Sequence, residues 1–184
     1  MSNDILDLAK VESGHFKLDL SVFECRYVMQ DVQLLFAESA KRKGLQIEFL
    51  CCAATGQRYL GDPHRLRQMI SNLVSNAIKF THHGSIRVES RQVMQEGATA
   101  VLEYAVTDTG IGVPADKQHL LFKPFSQTDS STTRKYGGSG LGLSIVHAMA
   151  TLMGGEVGVQ SESGKGSRFW FRIRADLVEA GQNA

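Results

Sequence analysis

No apolar run in this 184-residue chain is long enough to cross a bilayer. The longest, Phe49 to Ala54, is far short of the ~20 residues that a spanning helix requires. A secretory leader is not expected either, because Asp4, Asp7 and Lys10 interrupt the N-terminal stretch. An excess of charge of one sign is also lacking. Twenty Lys and Arg against nineteen Asp and Glu leave a formal charge of +1, which gives no sign of a general nucleic-acid binder or a polybasic membrane anchor. Any anion specificity must therefore come from local arrangement. Cysteine is scarce and odd in number: Cys25, Cys51 and Cys52. Adjacent Cys51 and Cys52 would point to opposite faces of a strand, so no disulfide framework is expected. No CxxC or Cys/His spacing offers a zinc site. The expectation is a reduced, cytoplasmic chain.

What is present fits one globular domain with a short appendage, since 42% of the residues are hydrophobic. Residues 3–13 read as the end of a helix with Ile5, Leu8, Ala9 and Glu12 on one face and Gly14 as its stop. So short a helix does not fold alone and reads as the remnant of a longer one. A short strand is expected near Leu18–Phe23. An amphipathic helix follows, with Val28, Val32, Leu35, Phe36 and Ala40 at helical spacing, ending at Gly44. Leu45–Cys51 reads as a strand. Asp62-Pro63 is a helix start, a capping carboxylate followed by proline in the first turn. From there Leu66, Met69, Ile70, Leu73, Val74, Ala77 and Ile78 carry an apolar stripe to Phe80. Strands near Ile86–Met94 and Thr99–Thr107 form a hairpin through Glu96-Gly97. Periodicity then disappears over 109–138, a length of loop that is usually functional. A helix from about Ser139 to Met153 and strands near Glu156–Ser161 and Ser167–Ala175 complete the chain, without internal repeats. The hairpins imply a mixed sheet covered on one face by helices.

Glycine is concentrated in one region: eleven of eighteen fall between Gly110 and Gly166. Three clusters stand out: Asp108-Thr109-Gly110-Ile111-Gly112, Gly138-Ser139-Gly140-Leu141-Gly142 and Gly164-Lys165-Gly166-Ser167. Singly, each is also what a tight turn looks like. Neither standard phosphate fingerprint is met. Leu143 stands where a dinucleotide-binding glycine belongs, and Val159 where a phosphate-loop glycine belongs. The helix after Pro63 adds Asn72, Asn76 and Lys79 at i, i+4 and i+7, a polar stripe flanking the apolar one. Asparagine is a poor helix former, so two in mid-helix need a reason. A solvated face is one reading. In the other, Asn76 offers a neutral, hard oxygen to Mg²⁺ or its waters, and Lys79 a cation to phosphate.

Together these stretches resemble the sensor histidine kinases. Asn72-x-x-x-Asn76-Ala-Ile-Lys79-Phe80-Thr81 is similar to their N box, and Asp108-x-Gly110-x-Gly112 to their first glycine box. Phe122-Lys123-Pro124-Phe125 is similar to the F box, Gly138-Ser139-Gly140-Leu141-Gly142-Leu143 to the second glycine box, and Gly164-Lys165-Gly166-Ser167 to the third. All five occur in family order and cover about residues 17–175. Asp129 to Tyr136 is similar to lids of the hybrid subfamily, whose members carry receiver domains.

The resemblance implies an α+β, two-layer α/β sandwich: a mixed, mostly antiparallel sheet covered on one face by three helices, the Bergerat-type ATP-binding fold. It divides the chain into 1–14, the end of a truncated dimerisation and phosphoacceptor helix; 15–176, a catalytic ATP-binding domain with a lid at about 113–138; and 177–184, a frayed tail. It implies ATP and Mg²⁺ as ligands. Asp108 would accept the adenine amino group, and Gly110 and Gly112 would let the backbone approach the base. Phe80 would pack on the nucleotide rings or simply in the core. Gly138, Gly140, Leu141 and Gly142 would offer backbone N–H groups and a helix N-terminus to phosphate, and Arg134 or Lys135 would reach it from the lid. Asn76 would hold Mg²⁺, directly or through water, and Asn72 would position water or phosphate. The lid segment is expected to be mobile without nucleotide.

No histidine has the acceptor context of the family. His119 is followed by Leu120 rather than an acid, and His15 by Phe16. The acceptor is therefore expected on a separate hairpin of a larger parent kinase, anchored in the bacterial inner membrane and paired with a response regulator or receiver domain. The piece itself is expected to be a monomer. Two rivals remain at this level. Hydrolysing relatives (gyrase, the heat-shock chaperones, mismatch-repair proteins) place a glutamate where this chain has Asn72, and asparagine cannot act as a base. A non-catalytic nucleotide-binding module that regulates another kinase would keep the glycine boxes without the transfer.

Overall fold

The structure, a computed structural model, describes residues 2–124 and 141–179. In chain order the elements are α1 (Ser2–Glu12), β1 (Ser21–Phe23), α2 (Cys25–Arg42), β2 (Gln46–Cys51), β3 (Arg58–Gly61), α3 (Pro63–Phe80), β4 (Ser85–Glu96), β5 (Thr99–Asp108), a 3₁₀ helix (Ala115–Leu120), α4 (Gly142–Leu152), β6 (Glu156–Glu162) and β7 (Gly166–Val178). The strands form one sheet in the order β1-β3-β7-β5-β4-β2, with β6 also paired to β7. Every pairing is antiparallel except that of β2 with β4. Parallel neighbours require a crossover, and α3 lies within the one that joins them.

Strand alternation separates the two faces of the sheet. Ile86, Val88, Leu102, Tyr104, Val106, Phe171 and Ile173 are buried under the helices, where the rings of Tyr104 and Phe171 stack at 5.1 Å. From the helix side come Val28, Val32, Leu66, Ile70, Val74, Ile145 and Met149. Burying each such side chain contributes roughly 1.5–3 kcal/mol, so this layer holds the fold together. The opposite face is polar. There the Glu103 side chain, only 2% exposed, lies under Arg91, Arg168 and Arg172, with contacts of 2.9, 2.7 and 2.9 Å.

Asp62 starts α3 as expected: its Oδ1 accepts the N–H of Arg65 at 3.1 Å, and its Oδ2 accepts that of Asp19 at 2.9 Å. At the other end, the Lys43 ammonium donates to the carbonyls of Ile78 and Lys79. A cation there suits both the unpaired carbonyls and the helix dipole.

Several sequence expectations are corrected. In α1 the inward face is Asp4, Asp7, Leu8 and Val11, not Ile5, Leu8, Ala9 and Glu12; Ile5, Ala9 and Glu12 are exposed. The cause is an ion pair between Asp7 and Arg65 at 2.8 Å, which makes a carboxylate, rather than Ile5, the buried group. Leu35 of α2 is 64% exposed instead of in the core. Strand β3 carries too little alternation to be read from sequence, yet it extends β7 by pairing Arg58–Leu60 with 176–178. Leu177 and Val178 therefore belong to β7 and not to a frayed tail over 177–184. The segment after Pro114, read as aperiodic, contains the 3₁₀ helix.

Candidate functional site

Strand β5 ends in a buried carboxylate. Asp108 is 6% exposed and accepts the N–H of Gly110 at 2.9 Å. Burial pushes its carboxyl above the ordinary carboxylate range, against the opposing hydrogen bonds from the N–H groups of Gly110 and Ser167. With two backbone donors among the described residues, this buried carboxylate retains lone pairs for an incoming donor.

The backbone around it is packed too tightly for side chains. A Cβ on Gly110 would stand 2.2 Å from the carbonyl oxygen of Phe80, and one on Gly112 would stand 2.1 Å from that of Glu162. Gly112 also has φ +68°, a left-handed conformation that disfavours any residue with a Cβ. Hydrogen bonds join the three segments: Ile111 N–H to the Phe80 carbonyl at 3.1 Å, and Gly164 N–H to the Ile111 carbonyl at 2.7 Å. The end of α3, the Asp108 loop and the β6–β7 turn thus meet backbone to backbone. Thr81, read from sequence only as the end of a motif, sits at this junction with its hydroxyl buried and without a hydrogen-bond partner among the described residues.

The polar stripe of α3 runs away from Asp108 towards α4. Asn72 donates its side-chain N–H to the carbonyl of Gly142 at 3.2 Å, tying the first turn of α4 to α3. Asn76 and Lys79 are half-buried, and their side chains make no hydrogen bond or ion pair among the described residues. Gly142 faces Asn72, whose nearest carbon would be 3.9 Å from an added Cβ. Phe122 packs edge-on against His147 of α4 at 6.1 Å and Phe169 of β7 at 6.4 Å.

The structure therefore brings Phe80, Asp108, Gly110 and Gly112 together at one end, and Asn72 and Gly142 at the other, with Asn76 and Lys79 on the helix between. The Leu141 side chain is 1% exposed, so it packs in the core just before α4 begins. Arg134, Lys135, Gly138, Gly140 and Phe125 lie outside the described residues. Sequence reasoning did not single out Ser161 or Gln118. Ser161 accepts the N–H of Val113 at 2.8 Å, and Gln118 donates to the carbonyls of Val113 and Ser161 at 3.1 and 2.9 Å. Neither lies in a glycine cluster, and a lone Ser or Gln carries no spacing signal.

Residues 61–177 match the family described as histidine kinase-, DNA gyrase B-, and HSP90-like ATPase. The chain belongs to that family. Among its relatives, the signal transduction histidine-protein kinase BarA of Escherichia coli (strain K12) is 39% identical over 175 residues, which is 95% of this chain and 19% of that protein. The sensor protein GacS of Pseudomonas syringae pv. syringae is 42% identical over 172 residues, 94% of this chain and 19% of that protein. The chain thus spans about a fifth of the length of these relatives. Among solved structures, full-length ShkA in complex with AMPPNP superposes with a TM-score of 0.83 at 32% identity, covering 97% of this chain and 36% of that one. No described helix is long and apolar enough to cross a membrane.

Proposed function

We propose that this chain binds ATP with Mg²⁺ and serves as the catalytic domain of a sensor histidine kinase of the hybrid type. In this reading it delivers the γ-phosphate to a histidine on a separate dimerisation hairpin of the parent protein. The observation that carries the reading is Asp108, a buried acceptor at the foot of a cradle from which side chains are excluded. Its free lone pairs suit the exocyclic amino group of adenine, and Gly110 and Gly112 leave room for the base. Phe80 flanks it.

The phosphates would extend along α3 towards α4. Asn76 and Lys79, with no partners among the described residues, fit a metal-bound triphosphate: a neutral oxygen for Mg²⁺ or its water and a cation for phosphate oxygens. Magnesium, when bound, neutralises charge on the phosphates. Gly142 opens α4, and a helix N-terminus favours an anion; Gly138, Gly140 and one of Arg134 and Lys135 complete the phosphate set. In the transfer, an imidazole nitrogen of the partner hairpin bonds to the γ-phosphorus as the β–γ bridging bond breaks and ADP leaves. Asn72 cannot deprotonate water, so the γ-phosphate is kept for that nucleophile. The parent kinase would pass the phosphoryl group to a receiver domain or response regulator on the cytoplasmic side of the membrane.

The test is radiolabel transfer from ATP to the separately supplied hairpin of the parent protein. Label should appear on the hairpin and none on this chain, and the Asp108→Ala variant should transfer none. Stoichiometric labelling of His15 or His119 would refute the assignment.

A further inference from the structure

The peptide chain from Gly110 to Val113 is fastened group by group. Gly110 N–H is held by Asp108, Ile111 N–H by Phe80, and the Ile111 carbonyl by Gly164. Those fastenings come from the sequence motifs. The last peptide is different: Val113 has its N–H bound by the Ser161 hydroxyl at 2.8 Å and its carbonyl by the Gln118 amide at 3.1 Å. Two side chains outside the motifs therefore close the segment.

The Ser161 hydroxyl is saturated. Its neighbours are Val113 N–H, the Gly166 carbonyl at 2.9 Å and the Ser167 hydroxyl at 2.7 Å. With one proton and two lone pairs, it satisfies all three only by donating to Gly166 and accepting from Val113 and Ser167. Gln118 spends its amide protons on the carbonyls of Val113 and Ser161. Ser161 stands opposite Ser167, and Ser167 opposite Asp108, in the strand register. The three side chains thus form one row on the helix-covered face. The Ser161–Ser167 link has one donor arrangement, and Ser167 is the β7 residue paired with Asp108, so the backbone of Val113 is tied to the strand position opposite Asp108.

We infer that Ser161 and Gln118 are positioning residues for nucleotide recognition, holding the Gly110–Val113 backbone in register with Asp108 before a ligand arrives. The inference rests on the nucleotide reading above. Neither side chain needs to touch the nucleotide. Their effect is preorganisation, which lowers the ordering that binding otherwise requires. Because both act on the Val113 peptide, their losses are coupled rather than additive.

Calorimetry with Mg-ADP on the full chain tests this with Ser161→Ala, Ser161→Thr, Gln118→Met and the Ser161→Ala/Gln118→Met pair. Circular dichroism confirms that each variant is folded at the titration temperature. Each single loss should weaken binding about tenfold, roughly one hydrogen bond's worth. The pair should bind little more weakly than either single variant, and Ser161→Thr, which restores the hydroxyl, should bind as wild type. A general loss of stability would not give that pattern in folded protein. Wild-type affinity in the single variants, additive losses in the pair, or a threonine variant as weak as alanine would each overturn the inference. If the Asp108→Ala variant binds poorly while these bind normally, this inference fails alone; if wild type does not bind Mg-ADP, the nucleotide reading fails with it. Where Ser161→Ala does not fold, Gln118→Met alone decides, since it keeps the side-chain length and lies on the half-buried 3₁₀ helix.

Discussion

Replacing Asp108 by asparagine changes two atoms' chemistry and almost no volume, and its consequences for binding and for stability should run in opposite directions. The carboxylate accepts from the N–H groups of Gly110 and Ser167 and, in the proposed complex, from the adenine amino group. Asparagine has one acceptor oxygen. Turned one way, its NH₂ meets the ligand's amino group; turned the other, it meets the Gly110 N–H. No orientation serves both. A hydrogen bond to a charged group is worth about 1.5–3 kcal/mol, so Mg-ADP affinity should fall about 10- to 150-fold. Stability follows a different rule. Burial raises the carboxyl of Asp108 above its unfolded value, so its ionisation opposes folding. That opposition is absent below the ordinary carboxylate range, sets in as pH rises towards the raised value, and is complete above it. The Asp108→Asn variant lacks it. The variant should therefore melt no lower than wild type at neutral pH, and any advantage should vanish on acidification. Calorimetry with Mg-ADP and thermal melts at acid and neutral pH measure both. Wild-type affinity in the variant, or a large loss of stability at neutral pH with affinity unchanged, would refute the reasoning.

Glu103→Gln removes the anion that three arginines share. Breaking a buried pair by deleting one partner costs about 3–5 kcal/mol, and the partial exposure of Arg91, Arg168 and Arg172 brings the expected loss to about 2 kcal/mol, measurable by urea unfolding. Burial raises the Glu103 carboxyl, but the bonds from Arg172, Arg168 and Arg91 outweigh it and leave it below the ordinary range. Its stabilisation is thus present above the unfolded carboxylate pKa and is lost as pH falls through the lowered one, a loss the glutamine variant should not show. Gly110→Ala should both destabilise and abolish Mg-ADP binding, because its Cβ meets backbone at 2.2 Å; a folded variant that binds normally would show that the cradle can widen.

The parts of the fold that could be read from sequence are those whose cause is local. Asp62-Pro63 marks the start of α3 because capping is a matter of adjacent residues. The apolar stripe of α3 is legible because every member is buried against the same layer. The α1 face was misjudged for the opposite reason. Asp7 is buried by Arg65, which lies far along the chain, and no hydropathy period announces such a partner. The same holds for β3, which exists because β1 and β7 flank it. At the site, the glycine clusters pointed to Asp108, Gly110 and Gly112 because close backbone approach leaves a compositional trace. Ser161 and Gln118 leave none, since a hydroxyl or amide gains its role only from the backbone group it faces.

Position 72 connects this geometry to the choice of reaction. The resemblance to the sensor histidine kinases implies that hydrolysing members of the wider superfamily place a water-activating glutamate at this point of the helix. Here the residue is asparagine, and it is not idle: its N–H holds the Gly142 carbonyl at 3.2 Å, where α4 begins. A glutamate in its place would bring a base into the cleft, but it has no proton to offer that carbonyl once ionised. It would set a carboxylate against a carbonyl oxygen and release the first turn of α4, the turn that in the proposed complex faces phosphate. The tie between α4 and α3 and the absence of a base at this point are thus properties of one residue. Under the proposed function, a change from transfer to hydrolysis would require a new tether for α4 as well as a new base, which separates the two reaction types by more than a single substitution.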